Sequence, residues 1–425
     1  MEQNRTNPAE WPDDPSGSPL GDGRFAHATD RPASVDELGE VIARRADEGF
    51  AVYPQGGRTS LDYGGIPARP GVAVDLRGLD QVIDYPAADM TITIEAGATL
   101  GRLRAILAEQ GQRLALEAPF AEVATLGGIF ATDASGPRRF GLGRARDQII
   151  GIRYVDAQGQ VIKGGGRVVK NVAGYDLPRL LTGSMGTLGV IAELTLKVRP
   201  MPAASALAWV RFRRLAEAAQ ALDRLNTSAT RPIGIDLLNG PAAQLVGRVA
   251  DLPVEEWVGV IGFEDNADSV AWQLDRLGLE LGRTDLIVTE GDRSAPLWSA
   301  LVDAQAAEPH AVSLKVNLRP SAGLSFLAKF DPAHWAIHAQ AGGGIIRAHA
   351  LDAPSLDELG PEVDRLRDAA VALGGNLTVP KCPTEWKERL RVWGHPREDW
   401  AMAERVKAAL DPGGVLNPGR FVGKI

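Results

Sequence analysis

The sequence of 425 residues contains one cysteine, Cys382. A single thiol cannot form an intramolecular disulfide, and it cannot supply the ligands of a zinc site or an iron–sulfur cluster. Positive charge is also low, because 46 Lys and Arg residues stand against 54 Asp and Glu residues and give a net charge of -8. That balance argues against a general nucleic-acid-binding surface.

Long apolar runs are missing as well. No segment approaches the roughly 18–20 apolar residues that a membrane-spanning helix needs. The first residues, MEQNRTNPAEWPDDPSG, are polar, acidic and rich in proline, so they predict a flexible lead-in over residues 1–23 and not a secretory signal. We therefore expect a cytoplasmic protein with no transmembrane segment.

Several familiar catalytic and nucleotide-binding motifs do not occur. The sequence has no G-x-x-x-x-G-K-[ST] phosphate loop, no G-x-S-x-G nucleophile elbow and no H-E-x-x-H zinc motif. Its GSMGTLG stretch lacks the G-x-G-x-x-G spacing of a Rossmann dinucleotide site. His334 and His338 are four residues apart, but the residues between them, WAI, predict a strand and not a metal-binding helix. No metal site is expected.

Glycine is what the sequence has in excess, with 48 residues that gather in a few segments. In YPQGGRTSLDYGG, residues 53–65, successive backbone N–H groups have few side chains in the way. Such a nest suits an anion, above all a pyrophosphate, although a glycine-rich hairpin between two strands would have a similar composition. A second segment of small residues, ATLGGIFATDASG at 124–136, favours the pyrophosphate, since a long dinucleotide needs two such surfaces.

The periodicity of the apolar residues predicts a chain of mixed α and β structure. One helix is expected at 34–49, with Ser34 and Glu37 as a capping box, and another after Thr99. FAVYP, VAVDL and MTITIEAG predict strands. After Pro200, strands and helices alternate in the manner of a ferredoxin-like split βαβ unit.

Four segments, taken in order, resemble the FAD-binding family typified by vanillyl-alcohol oxidase and p-cresol methylhydroxylase (PCMH). They are the P-x-G-G-x-T loop, IEAGAT, ATLGGIFATDASGPRRFGLGRARDQIIG and GSMGTLGVIAELTLKVRP. Two further segments, GGGRVVKNVAGYDLPRLLTGSMGTLGV and the C-terminal VLNPGRF, are similar to the FAD-binding subunits of glycolate oxidase complexes. The resemblance is strong over residues 50–200 and at the C-terminus, and weak between them.

This resemblance implies an α+β fold. A PCMH-type FAD-binding domain of two α/β subdomains would occupy residues 24–200, and a ferredoxin-like α+β cap domain would occupy 201–375. A C-terminal segment, 376–425, would return to the flavin.

The resemblance also implies which residues bind FAD. The glycine loop would hold the pyrophosphate, the small-residue segment would line the ribityl chain and the isoalloxazine ring, and the other positions would close the site or meet the nucleotide end. The implied set is Gln55, Gly56, Gly57, Arg58, Thr59, Ser60, Pro119, Thr125, Leu126, Gly127, Gly128, Ala131, Thr132, Ser135, Gly136, Gly141, Gly143, Val190, Ile191, Asn417 and Arg420.

Two departures from the family's pattern matter. Some relatives attach FAD covalently through a histidine directly after the paired glycines, but Arg58 stands there and cannot form that bond, so we expect non-covalent FAD. Relatives that act on D-2-hydroxy acids often carry an H-x-G-D-G-x-x-H cluster, whereas HAQAGGGIIRAHA keeps His338 and His349 without an acidic residue. A metal-assisted site is therefore not expected, and the simpler interpretation of both histidines is packed strand residues.

The sequence allows two roles for a cluster of four arginines and two roles for Lys170. Arg138, Arg139, Arg144 and Arg146 would contact a partner subunit or an anionic substrate, or else line a solvated loop. Lys170 would lie near the flavin and stabilise its reduced form, or else lie on the surface.

Three functions are consistent with these patterns. In the first, the chain oxidises glycolate or a similar 2-hydroxy acid to the 2-oxo acid with FAD, and Arg347 clamps the substrate carboxylate. The resemblance then implies that electrons pass to a second FAD subunit and an iron–sulfur subunit of a glycolate oxidase complex, and that these partners could hold the chain at the inner membrane. The second is an FAD-holding electron-transfer or structural subunit without its own substrate site. The third is a stand-alone FAD-dependent oxidase of a hydroxy acid or another alcohol.

Overall fold

The computed structural model describes residues 10–12, 17–166, 174–225, 227–306, 310–352 and 354–425. The chain forms two compact units. The first comprises the residues up to 134, 144–200 and 395–425, and the second comprises 135–143 and 201–394. The domain boundaries drawn from the sequence stay predictions, because both units are assembled from discontinuous segments. None of the helices in the described residues is both long enough and apolar enough to span a membrane.

A three-stranded parallel sheet forms one part of the first unit. Its central strand, Gly71–Asp75, lies between Ala51–Gln55 and the short strand Thr29–Asp30. The helix Val35–Asp47 packs its apolar stripe into the same core as this sheet. The predicted strands FAVYP and VAVDL and the first predicted helix are thereby confirmed.

The residues predicted to cap the N-terminus of this helix do so, but one hydrogen bond of the capping box has a different donor. Ser34 Oγ accepts a hydrogen bond from the N–H of Glu37 at 3.1 Å, as an N-cap does. The Glu37 carboxylate accepts from the N–H of Ala33 at 2.7 Å instead of that of Ser34, so the reciprocal bond of the capping box is shifted by one residue. Gly49, with φ of +85°, ends the helix.

A five-stranded antiparallel sheet forms the other part of the first unit. Its strands, in spatial order, are Val161–Gly165, Ile149–Val155, Val190–Lys197, Thr91–Glu95 and Val82–Asp84. An alternating strand often has one solvated face, but every residue of Thr91–Glu95 is buried. The hydroxyl of Thr93 meets that of Thr195 on the neighbouring strand at 3.0 Å, which satisfies its hydrogen bonding inside the protein.

The remaining elements of the first unit connect or flank these two sheets. They are the helices Leu100–Ala108, Leu126–Thr132, Ala145–Gln148, Leu177–Leu181 and Trp400–Leu410, the strand pairs Pro19–Gly21 with Arg24–Phe25 and Gln112–Arg113 with Arg199–Pro200, and the 3-10 turns Ala87–Asp89 and Val422–Lys424.

Part of the predicted flexible lead-in is structured. Pro19–Gly21 pairs with Arg24–Phe25, and the side chain of Leu20 is buried. Asp22 is also buried and forms an ion pair of 2.8 Å with Arg420. Backbone pairing and a buried charge pair therefore hold this segment, and neither is visible in its polar, proline-rich composition.

An antiparallel sheet of eight strands organises the second unit. Its strands, in spatial order, are Ile287–Glu290, Ala204–Phe212, Trp257–Asp265, Gly234–Asn239, Trp335–Gln340, Ile345–Ala350, Ser313–Asn317 and Asn376–Lys381. The helices of the described residues are Arg139–Leu142, Leu215–Leu225, Gly240–Gly247, Ala267–Leu281, Ala295–Asp303, Pro320–Leu327, Leu356–Ala372 and Lys387–Leu390, with 3-10 turns at Arg248–Ala250, Gly291–Arg293 and Thr384–Trp386.

The order of these strands shows two ferredoxin-like halves. Numbered along the chain, the first four strands lie in the spatial order 4-1-3-2, and the last four lie in the order 2-3-1-4. The halves join where Gly234–Asn239 pairs with Trp335–Gln340. The ferredoxin-like pattern predicted from the sequence is confirmed, and the α+β fold class with it.

Candidate functional site

The glycine loop after the strand Ala51–Gln55 presents a run of main-chain donors. Within the described residues, the backbone N–H groups of residues 56–60 donate no hydrogen bond to the protein. Arg58 has a left-handed backbone, with φ of +59°, which is the kind of turn that brings successive N–H groups together in an anion-binding nest. Thr59 and Ser60 are exposed at the end of this run. The loop therefore offers a cradle for an anion.

The paired glycines of this loop, Gly56 and Gly57, are required by close packing and not by unusual dihedral angles. Neither Gly56 nor Gly57 has a positive φ. A Cβ on Gly56 would lie 1.9 Å from Thr125 Oγ1, and a Cβ on Gly57 would lie 1.9 Å from the carbonyl oxygen of Val123. The predicted glycine loop and the predicted small-residue segment are thus in direct contact.

The helix Leu126–Thr132 gives the small-residue segment an apolar side and an open side. Thr125 caps it by accepting from the N–H of Gly128 at 3.4 Å. The buried side consists of Leu126, Ile129 and Phe130, Gly127 packs against Ala96, and the open side consists of Gly128, Ala131 and Thr132. A flat group could approach the open side closely, because it carries no side chain larger than threonine.

A glycine turn and the C-terminal segment meet at the same strand. A Cβ on Gly186 would lie 3.2 Å from Pro54 Cγ. The N–H of Asn417 donates to the carbonyl of Val52 at 2.9 Å, and its side-chain amide donates to the carbonyl of Met185. Four segments that are distant in the sequence thus converge around the end of Ala51–Gln55.

A buried ion pair ties two of these segments together. Lys407 Nζ donates to the carbonyl oxygens of Thr187 and Leu416, each at 2.8 Å, and to the Asp411 carboxylate at 2.6 Å. Asp411 in turn accepts from the N–H groups of Val415 and Leu416 at 2.9 and 2.8 Å. Burial lowers the pKa of Lys407, and the ion pair with Asp411 opposes that effect. Neither residue was named from the sequence, where the spacing in KAALD indicates only an ordinary i,i+4 surface pair.

Arg420, predicted to return near the flavin, supports the glycine loop. Its guanidinium is buried and donates to the Asp22 carboxylate and to the carbonyl oxygens of Leu61, Tyr63 and Gly65. Burial lowers the pKa of Arg420, while Asp22 raises it. The structure therefore gives Arg420 a supporting role beside the loop.

Gln55 and Arg58 are partly held by the N-terminal segment. Gln55 Nε2 donates to the carbonyl of Pro19 at 2.6 Å, and an Arg58 amino group donates to Ser18 Oγ at 3.2 Å. Within the described residues, Gln55 Oε1 and Arg58 Nε are buried without a hydrogen-bond partner. Buried polar atoms are rarely left in this state, so these two atoms mark a place that a ligand could complete.

The strand residues predicted to meet the nucleotide can do so only through their main chain. Val190 and Ile191 are buried, and they pair with Val155 and Tyr154 at the start of their strand. Pro119 is half-buried in the loop before the helix Leu126–Thr132.

Four of the predicted cofactor residues belong to the second unit, and there they have local structural roles. Ser135 Oγ accepts from the Arg139 side chain at 3.2 Å, and the Gly136 carbonyl accepts from the N–H of Arg139 at 3.2 Å. Gly141 packs against Ile233, since its N–H donates to the Ile233 carbonyl at 3.0 Å and a Cβ would lie 2.7 Å from Ile233 Cα. Gly143 has φ of +91° and ends the short helix Arg139–Leu142.

The four clustered arginines have different surroundings. Arg138 Nε donates to Glu264 at 2.7 Å, and its guanidinium lies 3.7 Å from the centre of the Trp298 ring. This pair of contacts fixes Arg138 inside the second unit. Arg144 and Arg146 are exposed, in the first unit. Lys170 lies outside the described residues.

One face of the second unit's sheet carries charged side chains in register. Arg347 stands directly opposite His338 on one neighbouring strand and Lys315 on the other. Directly opposite residues project to the same face, with Cβ atoms roughly 4.5–5.5 Å apart. The alternating residues Ile337 and Ile346 belong to the apolar core on the other face. Arg347 is half-buried, so an anion could approach this row.

The two histidines of HAQAGGGIIRAHA have partners within the sheet. His338 Nε2 lies 2.7 Å from Asp236 Oδ1, and His349 Nδ1 lies 2.8 Å from Ser313 Oγ. The ring of His310 stacks on that of His349 with centroids 4.7 Å apart. Burial lowers the pKa of His349 to about 3, and the neighbouring His310 and Arg347 act in the same direction.

The low pKa of His349 predicts a pH dependence of folding. Between about pH 6.5 and 3 the unfolded chain binds a proton at this residue and the native chain does not, so stability must fall as the pH falls through this range. The difference in free energy of unfolding between wild type and H349Q should therefore shrink by up to about 1.4 kcal/mol for each unit below pH 6.5. Urea unfolding at pH 7.5, 6 and 5 measures it. H334Q is the matched control, because the His334 side chain is 65% exposed, and wild-type and H349Q curves that stay parallel would contradict the prediction.

The site of the first unit fits a long anionic dinucleotide. It combines main-chain donors at residues 56–60 with the buried Arg58 Nε and with Ser184 Oγ, which is also buried without a partner in the described structure. The open side of the helix Leu126–Thr132 adds a surface for a flat ring. Donors for phosphates beside a small-residue surface are the two things that such a cofactor needs.

Comparison with known proteins identifies the cofactor of this chain. The family model described as "FAD binding domain" matches residues 26–165, and the model described as "FAD linked oxidases, C-terminal domain" matches residues 201–319 and 393–421. The alkyldihydroxyacetonephosphate synthase structure superposes with a TM-score of 0.66 at 19% identity, over 92% of this chain and 77% of that one. The PCMH-type FAD-binding fold expected from the sequence is thereby supported, and FAD is the cofactor.

Individual relatives indicate the class of enzyme to which the chain is related. Glycolate oxidase subunit GlcD of Bacillus subtilis is 24% identical over 92% of this chain and 88% of its own length. A mitochondrial D-lactate dehydrogenase (cytochrome) of Arabidopsis thaliana is 25% identical over 92% of this chain and 72% of its own. Glycolate oxidase subunit GlcE of Escherichia coli is 41% identical, over 35% of this chain and 43% of its own. The chain is a FAD-linked oxidoreductase related to glycolate oxidase subunits and D-lactate dehydrogenases.

Proposed function

We propose that this chain oxidises a small 2-hydroxy acid, glycolate or a close analogue, to the 2-oxo acid, as the FAD-binding subunit of a complex of the glycolate oxidase type. The proposal depends on the position of Arg347 on the sheet of the second unit. Its planar guanidinium has a cationic neighbour, Lys315, and this arrangement suits bidentate binding of a carboxylate. The names of the relatives support the substrate class, since they include glycolate oxidase subunits and D-lactate dehydrogenases.

In this proposal the first unit holds FAD without a covalent bond. The N–H groups of residues 56–60 and the hydroxyl of Thr59 or Ser60 bind the pyrophosphate, and the open side of Leu126–Thr132 lines the ribityl chain and the ring. Asn417, anchored to Val52 and Met185, closes the site from the C-terminal segment. When bound, FAD supplies the hydride acceptor of the oxidation.

The electrons leave through partner subunits. Cys382 is buried and is the only cysteine of the sequence, so this chain cannot hold an iron–sulfur cluster through thiolates. A second FAD subunit and an iron–sulfur subunit are the partners that a glycolate oxidase complex would provide.

Anaerobic reduction of the FAD-loaded chain tests the substrate proposal. We expect glycolate or D-lactate to bleach the flavin absorbance, and R347M to raise the half-saturating substrate concentration about 30-fold or more, because losing a charge-paired contact to a carboxylate costs about 2 kcal/mol or more. R319M, at an exposed arginine of the same unit, is the matched control. An unchanged half-saturation in R347M would remove Arg347 from the proposal.

A second candidate function has an observation in its favour. His338 and His349 are engaged with Asp236 and Ser313, so the stretch that gathers a metal and the substrate in some relatives is filled by contacts within the sheet. The chain would then be an FAD-holding electron-transfer or structural subunit. Full FAD loading without bleaching by any small 2-hydroxy acid would establish this alternative and exclude the first.

The mode of FAD attachment is tested by acid precipitation. Because an arginine occupies position 58, the flavin absorbance is expected to move completely into the supernatant. Flavin that stays with the precipitated protein would show a covalent bond through another residue and would contradict the role given to Arg58.

A further inference from the structure

A short hairpin near the N-terminus, residues 18–25, packs on the glycine loop of the same unit. Its two strands are joined by Asp22 and Gly23, whose φ angles of +55° and +69° suit the type I′ turn that Asp-Gly favours. The match to the FAD binding domain model begins at residue 26, so the hairpin lies outside it. The family model therefore assigns this N-terminal hairpin no role.

The N-terminal hairpin holds the beginning of the glycine loop through two side chains of the loop. Gln55 Nε2 donates to the carbonyl of Pro19, and Arg58 donates to Ser18 Oγ. Gln55 and Arg58 stand on either side of the paired glycines, whose N–H groups belong to the proposed cradle of main-chain donors. The hairpin thus fixes the side chains that flank the first of these donors.

The turn of the hairpin holds the end of the glycine loop. The N–H of Asp22 donates to Asp62 Oδ1 at 2.9 Å. The Asp22 carboxylate pairs with Arg420 at 2.8 Å, and the two side chains are only 1% and 4% exposed. The Arg420 guanidinium also donates to three loop carbonyls, those of Leu61, Tyr63 and Gly65. Asp22 supplies the charge that keeps this buried cation in place, because an unpaired buried charge is strongly unfavourable.

One glycine of the turn brings the two backbones into direct contact. A Cβ on Gly21 would lie 2.2 Å from the carbonyl oxygen of Leu61. A Cβ on Gly23, in the same turn, would meet no atom within 4 Å among the residues that the structure describes. Both glycines have a positive φ, so they differ in their contact with the loop and not in the sign of this angle.

We propose that the N-terminal hairpin is a clamp that positions the glycine loop for FAD, with Asp22 as its main positioning residue. This inference goes beyond the proposed function, since it concerns retention of the cofactor and does not involve a substrate. A loop that is already held in its binding conformation loses less conformational freedom when the ligand binds. Docking of the hairpin and binding of FAD must then favour each other by the same factor, because a coupling free energy is reciprocal.

Three variants of the full-length apoprotein, titrated with FAD and followed by flavin fluorescence, test the clamp. G21N and G23N are a matched pair, because asparagine tolerates the left-handed conformation and only G21N meets the loop backbone. We expect the dissociation constant of FAD to rise about tenfold or more in G21N and to change less than about threefold in G23N. D22N preserves the turn, since Asn-Gly also suits type I′, and it is expected to weaken FAD binding about tenfold or more because Arg420 loses its counter-charge.

Two further measurements separate positioning from a general loss of stability. A merely structural effect of D22N would lower the melting temperatures of the apoprotein and the FAD-loaded protein equally, whereas weaker binding makes the rise in melting temperature on adding FAD smaller. In the wild type, FAD is expected to slow hydrogen exchange at the N–H of Asp22 about tenfold or more, because the docked hairpin is stabilised by the same coupling.

The possible results distinguish the clamp from the other assignments. If G57A binds FAD as tightly as wild type, the glycine loop does not hold the pyrophosphate, and the clamp is overturned with it. If G57A weakens binding while G21N and D22N do not, only the clamp is overturned. If G21N and D22N do not fold, as judged by circular dichroism, hydrogen exchange of the wild type decides, and an unchanged rate at Asp22 on adding FAD overturns the clamp. Absence of reduction by any 2-hydroxy acid overturns the proposed function alone, because FAD binding is measured without substrate.

Discussion

Gly57→Ala is expected to remove nearly all of the chain's ability to retain FAD. A Cβ at this position would lie 1.9 Å from the carbonyl oxygen of Val123, and no real Cβ tolerates a contact below 3.0 Å. The obstructing atom is backbone, so rotation of a side chain cannot relieve the clash and the two loops must separate by about 1 Å. We expect the dissociation constant of FAD to rise about 100-fold or more, which corresponds to about 2.7 kcal/mol.

Titration of the apoprotein with FAD, followed by flavin fluorescence, measures this effect. The control is Gly323→Ala in the helix Pro320–Leu327, where an added Cβ meets no atom within 4 Å. A helical Gly→Ala change without a clash should keep FAD binding and add about 0.4–1 kcal/mol of stability. A G57A protein that binds FAD as tightly as wild type would show that the loop tolerates separation, and the pyrophosphate would then have to bind elsewhere.

Local signals in the sequence predicted the elements that bear on this site. Ser34 and Thr99, both named from the sequence, cap the helices that follow them, whereas the cap at Thr125 of the small-residue segment was not predicted. These signals work because a capping side chain bonds to a backbone group three residues away, so the information is contained in the segment itself. The glycine loop was recognisable for a similar reason, although Gly56 and Gly57 serve close packing while Arg58 takes the left-handed conformation.

Contacts between distant segments were not predictable in this way. The positions of Lys407 and Asp411 depend on how the C-terminal segment returns beside the strand Ala51–Gln55, and nothing in KAALD distinguishes a buried clamp from a surface pair. The same holds for the pairing of His338 with Asp236, which are 102 residues apart. A shift of one residue in strand register would place the histidine on the apolar face, so the pair is a property of the fold and not of the motif.

Lys407→Met is expected to lower the free energy of unfolding by about 3–5 kcal/mol, because it leaves the fully buried Asp411 carboxylate without its cation. The carbonyl of Thr187 also loses its donor, which removes one of the contacts between the C-terminal segment and the turn at Ser184 and Met185, while the bond from Asn417 to the Met185 carbonyl remains. Weaker FAD binding should therefore accompany the loss of stability. Urea unfolding and FAD titration of the same protein measure both effects.

Two further variants identify the cause. R405M removes a positive charge from the exposed side of the same helix and should change the free energy of unfolding by less than about 0.5 kcal/mol. The double variant K407M/D411N removes both charges and should recover part of the loss, since replacing a whole buried pair is less damaging than breaking it. If K407M alone were as stable as wild type, Asp411 would have to be held by the N–H groups of Val415 and Leu416 without the lysine. If the double variant recovered stability but not FAD affinity, the bond from Lys407 to Thr187 would be the part of the network that shapes the cofactor site.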